Sequence, residues 1–483
     1  VDWLSRKPIL KKIVDNFSIL FIGQGIASVV AFYAIVILAR RLRTESFGIY
    51  SFAEATFMFF LMFIISGTDF LGTRRVAQNP KEAISETQDI ITFRLAMGVF
   101  VFLALSLFIF FLKKPIVVRW TLFMFGAAFF TFSFLLNWLY LGLQRMRLVV
   151  AGTILRELLF LVGVFFFVSK SSDILKAGLV FFCSRLLHAI FLMTMYIRQF
   201  GMPRFRMAYK KQRDILCESF PILFSSIEGW IITSFDIFFI AIYLGDRYSG
   251  IYNAAFKPIF LLMTITTVYF SAVYPILSKA SRHDKAEFST IIHWTLFIMT
   301  AIWLPFVIVT YQIADKIILL MYGESYAASI PVFRFLLLSL LIIPVNSVYS
   351  RALISSGRQK ENSFVSVAII IANVFLNLLL IPRFGLMGAA FSKIVTWFGV
   401  LPLYKYFLER ETRIYLFKSI SAPLAAAAGM MVLLFCFFAI PSNIWVRLTV
   451  ESVIYVLILA KIAMVVFRRF NQSLAFGEYH AHI

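Results

Sequence analysis

Apolar runs of about twenty residues recur from one end of the chain to the other, separated by short polar turns. Each run is long enough to cross the ~30 Å hydrocarbon core of a bilayer as an α-helix. The pattern predicts about fourteen spans, at 14–39, 47–68, 89–111, 120–143, 149–169, 174–197, 215–243, 250–277, 290–314, 331–354, 363–381, 386–408, 418–440 and 446–467. The turns carry helix breakers or charge, as in Arg40-Arg41-Leu42-Arg43, Lys113-Lys114-Pro115, Gly245-Asp246-Arg247 and Pro382-Arg383-Phe384-Gly385. The opening residues VDWLSRKPILKK lack the small-residue cleavage site of a secretory signal, so the first span is expected to be retained.

A phrase repeats within this pattern. Phe47-Gly48-Ile49-Tyr50-Ser51 returns as Ser249-Gly250-Ile251-Tyr252-Asn253, and the spans that precede each copy align at an offset of roughly 203 with one gap. Each copy contains two spans and the polar turn between them, so the duplication concerns architecture. Transporters built from two related halves have this signature.

Composition agrees. The chain is 61% hydrophobic and 14% charged, more apolar surface than one soluble core can hide. The longest polar loop, about Arg198 to Asp214, is too short to fold as a separate domain. The net charge of +22 is then mainly a topology signal. Basic residues of the N-terminal arm and even-numbered loops total about 26, against about 11 in the odd-numbered loops, which puts both termini in the cytoplasm by the positive-inside rule. A nucleic-acid ligand would need an exposed basic domain, and the sequence offers none.

Enzymatic signatures are missing. Cys183, Cys217 and Cys436 have neither paired spacing nor a metal-ligand pattern, and the five histidines form no metal motif. No Gly-Lys-Ser/Thr phosphate loop and no Asp-x-Asp pair occurs. Neither a cofactor nor a metal is expected.

Charges inside the spans carry the functional reading, because a charge near the bilayer centre costs roughly 2.5 kcal/mol or more and normally faces protein or water. Arg185 and Glu228 lie near mid-span, with Asp236 deeper in the seventh; Glu54, Lys257 and Lys393 lie about two turns into theirs, as do Arg156 and Glu157. Arg94, Arg334 and Arg351 lie nearer span ends, where snorkelling to headgroups explains them as well as a site does. Ser184-Arg185 in the sixth span roughly matches Ser392-Lys393 in the twelfth, so a basic residue recurs in the last helix of each half. Such cations form either structural bridges between halves or a cavity for an anion such as a phosphate.

Asn16-Phe17, the turn Leu38-Ala39-Arg40-Arg41-Leu42 with Phe47-Gly48-Ile49-Tyr50, and Asp236 followed by Gly250-Ile251-Tyr252-x-x-Ala255-x-Lys257 resemble the polysaccharide-export branch of the multidrug/oligosaccharidyl-lipid/polysaccharide exporter superfamily. Gly142-Leu143-Gln144-Arg145 and Ser356-Gly357-Arg358-Gln359 are similar too, and the likeness runs over nearly the whole chain. The resemblance implies an all-α polytopic membrane protein of the bacterial cytoplasmic membrane: two six-helix lobes, 1–200 and 201–410, related by a pseudo-twofold parallel repeat around a central cavity, with 411–483 adding two C-terminal helices and a tail. It implies a flippase for polyprenyl-pyrophosphate-linked oligosaccharides such as O-antigen units. Membrane lipids, a coupling proton or sodium ion, and a polysaccharide polymerase with its chain-length machinery are the partners that follow. One departure matters: where the second half has Lys257 the first has Ala55, beside the acid Glu54.

For such a cargo Arg185, Lys257 and Lys393, with Arg156, Arg94 and Arg351, are the candidate diphosphate contacts. Asn137, Trp138 and Trp230 are candidate sugar contacts, although packing or an interfacial belt explains aromatics equally. Glu54, Glu228 and Asp236 are candidate ion-coupling acids, or partners of nearby cations; coupling is assigned to Glu228 and a structural pair to Asp236. Two other classes compete. A cation-coupled drug antiporter of the same superfamily would favour an acidic cavity, and a membrane-embedded polymerase or glycosyltransferase would need large outward loops, whereas the outward loops here are short.

Overall fold

A computed structural model describes residues 3–65, 67–204 and 209–409, with 420–421, 423–425 and 427–428. The described residues are helical almost throughout and include no strand. The spans expected at 418–440 and 446–467 lie outside them apart from those few positions. Nine helical segments among the described residues are long and apolar enough to cross a membrane. Two of these, Ser18–Gln78 and Gln359–Leu408, each contain two of the expected spans joined at a backbone break. The chain is an all-α, multi-pass membrane protein.

The first break lies in α1 (Trp3–Ile65), at Arg43, whose φ of 60° is left-handed. Its neighbours fasten the turn from two sides. Arg40 donates to the carbonyls of Leu320 and Met321, at the end of α12 (Ala314–Tyr322). Arg41 donates to those of Val164, Phe165 and Val168, at the end of α6 (Met146–Phe167). Both are cations on the last carbonyls of a helix, where the backbone dipole favours positive charge. After Gly67, also left-handed at φ 72°, the chain continues as α2 (Thr68–Gln78) and then α3 (Ala83–Phe111). The expected fourth span divides into α4 (Ile116–Ser133) and the short α5 (Asn137–Gly142), followed by α6 and α7 (Ile174–Phe200).

The second half opens with α8 (Tyr209–Trp230), which passes through a π-helical turn at Ile231–Phe235 into α9 (Asp236–Tyr243). Then come α10 (Asp246–His283), α11 (Lys285–Gln312) and α12, with α13 (Ser329–Leu337) and α14 (Ser339–Ser355) forming the expected tenth span. The last described helix, α15 (Gln359–Glu409), breaks at Gly385, φ 58°.

Contacts divide the chain into two compact units, one of Val1–Leu262, Ile317–Val332 and Ile370–Ser392, the other of Met263–Lys316, Phe333–Ile369 and Lys393–Ile483. In the first, α1 packs along α6, and stacked rings fill the space among α1, α4 and α7. Phe125 and Phe181 lie 4.0 Å apart, Phe57 and Phe129 5.1 Å. Much of the phenylalanine content is therefore interior packing, where rings bring large contact area and favour offset or edge geometry. In the second unit α11 packs on α14, and Asn346 of α14 donates to the carbonyl of Trp397 at 2.7 Å.

The repeat becomes physical contact inside the first unit. A Cβ on Gly48 would lie 1.7 Å from the carbonyl oxygen of Asp246; a Cβ on Gly250 would lie 2.0 Å from that of Thr44. The two relations are the same relation with the copies exchanged, which is a local twofold axis. Only glycine lets α1 and α10 approach so closely, the usual device where helices meet without a hydrophobic driving force between them.

Candidate functional site

Two turns beyond that glycine contact, the copies line a cavity of about 160 Å³. Glu54 and Ser51 come from α1, Asn253 and Lys257 from α10, and Thr233 and Ser234 from the π-helical turn. A π turn inserts an extra residue per helical cycle and rotates the following side chains, and such turns recur at functional sites. Here it brings two hydroxyls to the cavity wall. Trp230, just before the turn, donates its indole N–H to the carbonyl of Ala55 at 2.8 Å and packs at a tilt against Phe59, ring centroids 4.8 Å apart.

Two bonds cross between the copies. The ammonium of Lys257 lies 2.8 Å from a carboxylate oxygen of Glu54, both side chains about one-fifth exposed. Asn253 Nδ2 donates to Ser51 Oγ at 2.7 Å. Residue 253 follows residue 51 by 202 positions, so this bond joins equivalent members of the repeat. Asn253 is fully buried and its Oδ1 has no hydrogen-bond partner among the described residues. A buried acceptor left open at a polar cavity is a place for water or a ligand group.

Further charges gather around Glu54. Arg185 of α7 donates to the carbonyl of Phe181 and to Ser184 Oγ, at 3.2 and 3.3 Å, and its guanidinium lies over the Phe181 ring. Glu54, Glu157 and Arg156 all act on it electrostatically. Arg156 is itself bonded to Glu157. Arg156, Arg185 and Lys257 against Glu54 and Glu157 leave the group with one excess positive charge, which favours an anion. Beside Gly48, Lys114 bonds Asp246 at 2.5 Å and the carbonyl of Ala241 at 2.8 Å. Burial holds the Asp246 carboxyl above its ordinary value, with Lys114 pulling the other way.

Other sequence candidates sit elsewhere. Arg94 is 2% exposed and is held by Thr68, by Asp69 at 2.6 Å and by the carbonyls of Phe132 and Leu135, so it joins the start of α2 to the end of α4. Trp138 packs against Gly72 in a buried cluster with Leu71, Ile90 and Leu192, beside Asn137 at the start of α5. Asp236 is buried and does not line the cavity; Tyr252 donates to it at 2.8 Å and Asn377 at 2.7 Å. Glu228 is half-buried on α8, one turn before the cavity's hydroxyls. In the second unit, Lys393 is 3% exposed and Arg351 is half-buried on α14. Sequence reasoning missed Ser51, Asn253, Thr233, Ser234 and Asn377. Ser51 and Asn253 stood inside the repeated phrase, so the repeat itself was the signal that pointed to them.

A family profile described as polysaccharide biosynthesis protein matches residues 13–281. Among curated relatives, an Escherichia coli (strain K12) protein whose name assigns it to O-antigen transport is 21% identical over 388 residues, 79% of this chain and 93% of its own length. A Staphylococcus aureus protein named capsular polysaccharide biosynthesis protein CapF is 24% identical over 205 residues, 41% of this chain and 51% of its own. Among solved structures, the lipid II flippase MurJ in an inward closed conformation aligns with a TM-score of 0.73 at 13% identity, over 93% of this chain and 99% of the other. An inward-facing multidrug resistance MATE family transporter of the MOP superfamily aligns at 0.64 and 14%, over 79% and 95%. At those identities the structural likeness concerns the fold.

Proposed function

The chain belongs to the polysaccharide biosynthesis protein family, and from that premise we propose that it is a flippase that carries a polyprenyl-pyrophosphate-linked oligosaccharide, of O-antigen or related type, across the membrane by alternating access. The observation that carries this reading is the cavity at the repeat axis, where Lys257 is held by a resident carboxylate and Asn253 keeps an open acceptor. A polyprenyl tail can stay in lipid, so the protein need only neutralise and hydrate the diphosphate sugar. Lys257 and Arg185 are assigned to the diphosphate in this reading, and Trp230, Thr233 and Ser234 to the sugar. The cavity is smaller than the roughly 300–1,000 Å³ of a small-molecule pocket, so the cycle must separate the copies and open the Glu54–Lys257 pair to admit cargo.

Glu54 is the acid best placed for coupling. Protonation, or sodium binding, at its carboxylate frees Lys257 for phosphate, so ion and cargo binding support one another. Asp236 keeps a structural role between Tyr252 and Asn377, and Glu228 is a second coupling candidate. Residues 1–200 and 201–410 act as the alternating halves, with 411–483 appended. A disulfide joining Ser51→Cys to Asn253→Cys, one from each half, should arrest transport until it is reduced. Both termini face the cytoplasm of the bacterial inner membrane. Reporter fusions after Gln199 and Arg413 should read cytoplasm, and fusions near Arg41 and Lys113 the outer side; an outside reading for the 198–214 loop overturns that orientation.

The test in cells is glycan display. Arg185→Ala and Lys257→Ala should each remove most of it while membrane abundance stays near normal, and Arg185→Lys should keep part, because charge remains while the bidentate fork is lost. Full display in both alanine variants would remove the diphosphate from these residues.

A further inference from the structure

A second cavity lies away from the site, between α6 and α7, with a volume of about 310 Å³. Its walls are apolar: Val162 and Phe167 on α6, Leu179 and Leu187 on α7, all between 43% and 63% exposed. Below them the two helices touch, since a Cβ on Gly163 would lie 2.5 Å from Val180. Among the described residues, one charged side chain lines the groove, Lys176, at the end where α7 begins, and no acid does. Asp173 lies beyond the rim: its Oδ1 pairs with Lys176 at 2.9 Å while its Oδ2 accepts the backbone N–H groups of Ser169 and Lys170. Three ammonium donors and a side chain 58% exposed leave Lys176 able to take a second oxygen ligand.

Length identifies the occupant. From Lys176 to Leu187 the groove follows about eleven residues of helix, roughly 16 Å at 1.5 Å per residue. That is close to half of the ~30 Å hydrocarbon core, the depth of one leaflet. A covering transmembrane helix would run on through the other leaflet, whereas this groove stops at Leu187. We propose that the α6/α7 groove is a binding site for one anionic phospholipid, with an acyl chain lying along Leu179 and Val162 and the headgroup phosphate on Lys176. Its position away from the Glu54–Lys257 cavity makes it independent of the transport reading.

Native mass spectrometry of the delipidated full chain, titrated with equal phosphatidylglycerol and phosphatidylcholine, tests the site. Wild type should retain one phosphatidylglycerol with about fivefold preference, the effect of one basic residue at the membrane surface. Lys176→Gln should lose that preference, Lys176→Arg should keep it, and Leu179→Trp, which fills the groove, should lose the retained lipid. Phosphatidylglycerol should also raise the melting temperature of wild type and not of Lys176→Gln. Wild-type lipid retention in both Lys176→Gln and Leu179→Trp overturns the proposal. So does a photo-crosslinker placed at Leu179 that captures residues 418–467 of the chain in place of lipid.

Discussion

The carboxylate of Glu54 lies 2.8 Å from the ammonium of Lys257, although 203 residues of chain separate them. Ser51 and Asn253, 202 apart, are bonded beside them. The neutral pair obeys the repeat and the charged pair departs from it by one residue, because Lys257 is the counterpart of Ala55 and its partner is the neighbouring acid. The two copies of the repeat thus meet on a symmetric scaffold that carries an asymmetric charge.

That asymmetry has a testable consequence. Exposed pairs contribute about 0–1 kcal/mol, whereas breaking a buried one costs about 3–5 kcal/mol; one-fifth exposure puts this pair between those limits. Lys257→Glu alone should set two acids side by side and lower the melting temperature. The exchanged double variant Glu54→Lys with Lys257→Glu should recover most of that loss without recovering transport, since the cation has moved to the other half. Recovery of both would show that only the pair matters.

The glycine contact predicts a contrast between positions. Gly48→Ala or Gly250→Ala drives a methyl carbon into the backbone of the opposite helix, at 1.7 or 2.0 Å from a carbonyl oxygen, and should destabilise by about 1–3 kcal/mol or more. Gly229→Ala meets open space within α8 and should be neutral or slightly stabilising. Thermal unfolding in detergent compares the three. Equal melting temperatures for Gly48→Ala and Gly229→Ala would contradict the close approach.

Asp236 gives a third expectation. Tyr252→Phe removes one neutral donor to its carboxylate, and Asp236→Ala strands both Tyr252 and Asn377 at about 1–3 kcal/mol for a buried polar group left unmade. Asp236→Asn keeps the shape and should sit between wild type and alanine in melting temperature. If Asp236 couples ions, its asparagine variant should melt normally yet lose the response of transport to an ion gradient.

Much of this was legible in the sequence, and the reason differs from residue to residue. Span positions followed from hydropathy because the bilayer imposes one length on every helix. The repeated Phe47-Gly48-Ile49-Tyr50 phrase marked the axis because close helix approach demands glycine at matching places. Glu54 and Lys257 were both singled out, Glu54 as a coupling acid or the partner of a nearby cation and Lys257 as a substrate cation; that these two pair with each other depends on a helix register that no local pattern reports. Arg94 looked like a snorkelling or cavity residue, and the partners that hold it lie 25 to 41 residues away. The π turn at 231–235 carries no composition of its own, so the hydroxyls of Thr233 and Ser234 had no reason to stand out. Asn377, a neutral amide inside an apolar helix, carried no charge to draw notice. Asn137 and Trp138 have the chemistry of a sugar site, yet the indole of Trp138 packs onto Gly72, whose missing side chain makes room for it.

On the proposed function, a lipid-linked oligosaccharide passes through the basic cavity at the repeat axis. Purified protein in vesicles, supplied on one leaflet with a fluorescent polyprenyl-diphosphate oligosaccharide, tests it directly. Wild type should make the sugar accessible to a glycosidase on the opposite side, faster with an imposed proton or sodium gradient. Lys257→Ala and Arg185→Ala should slow that step at least tenfold, a loss of about 1.4 kcal/mol in the barrier. Vesicles in which wild type leaves the labelled sugar where it was added, yet drives a cationic dye against a proton gradient, would contradict the account.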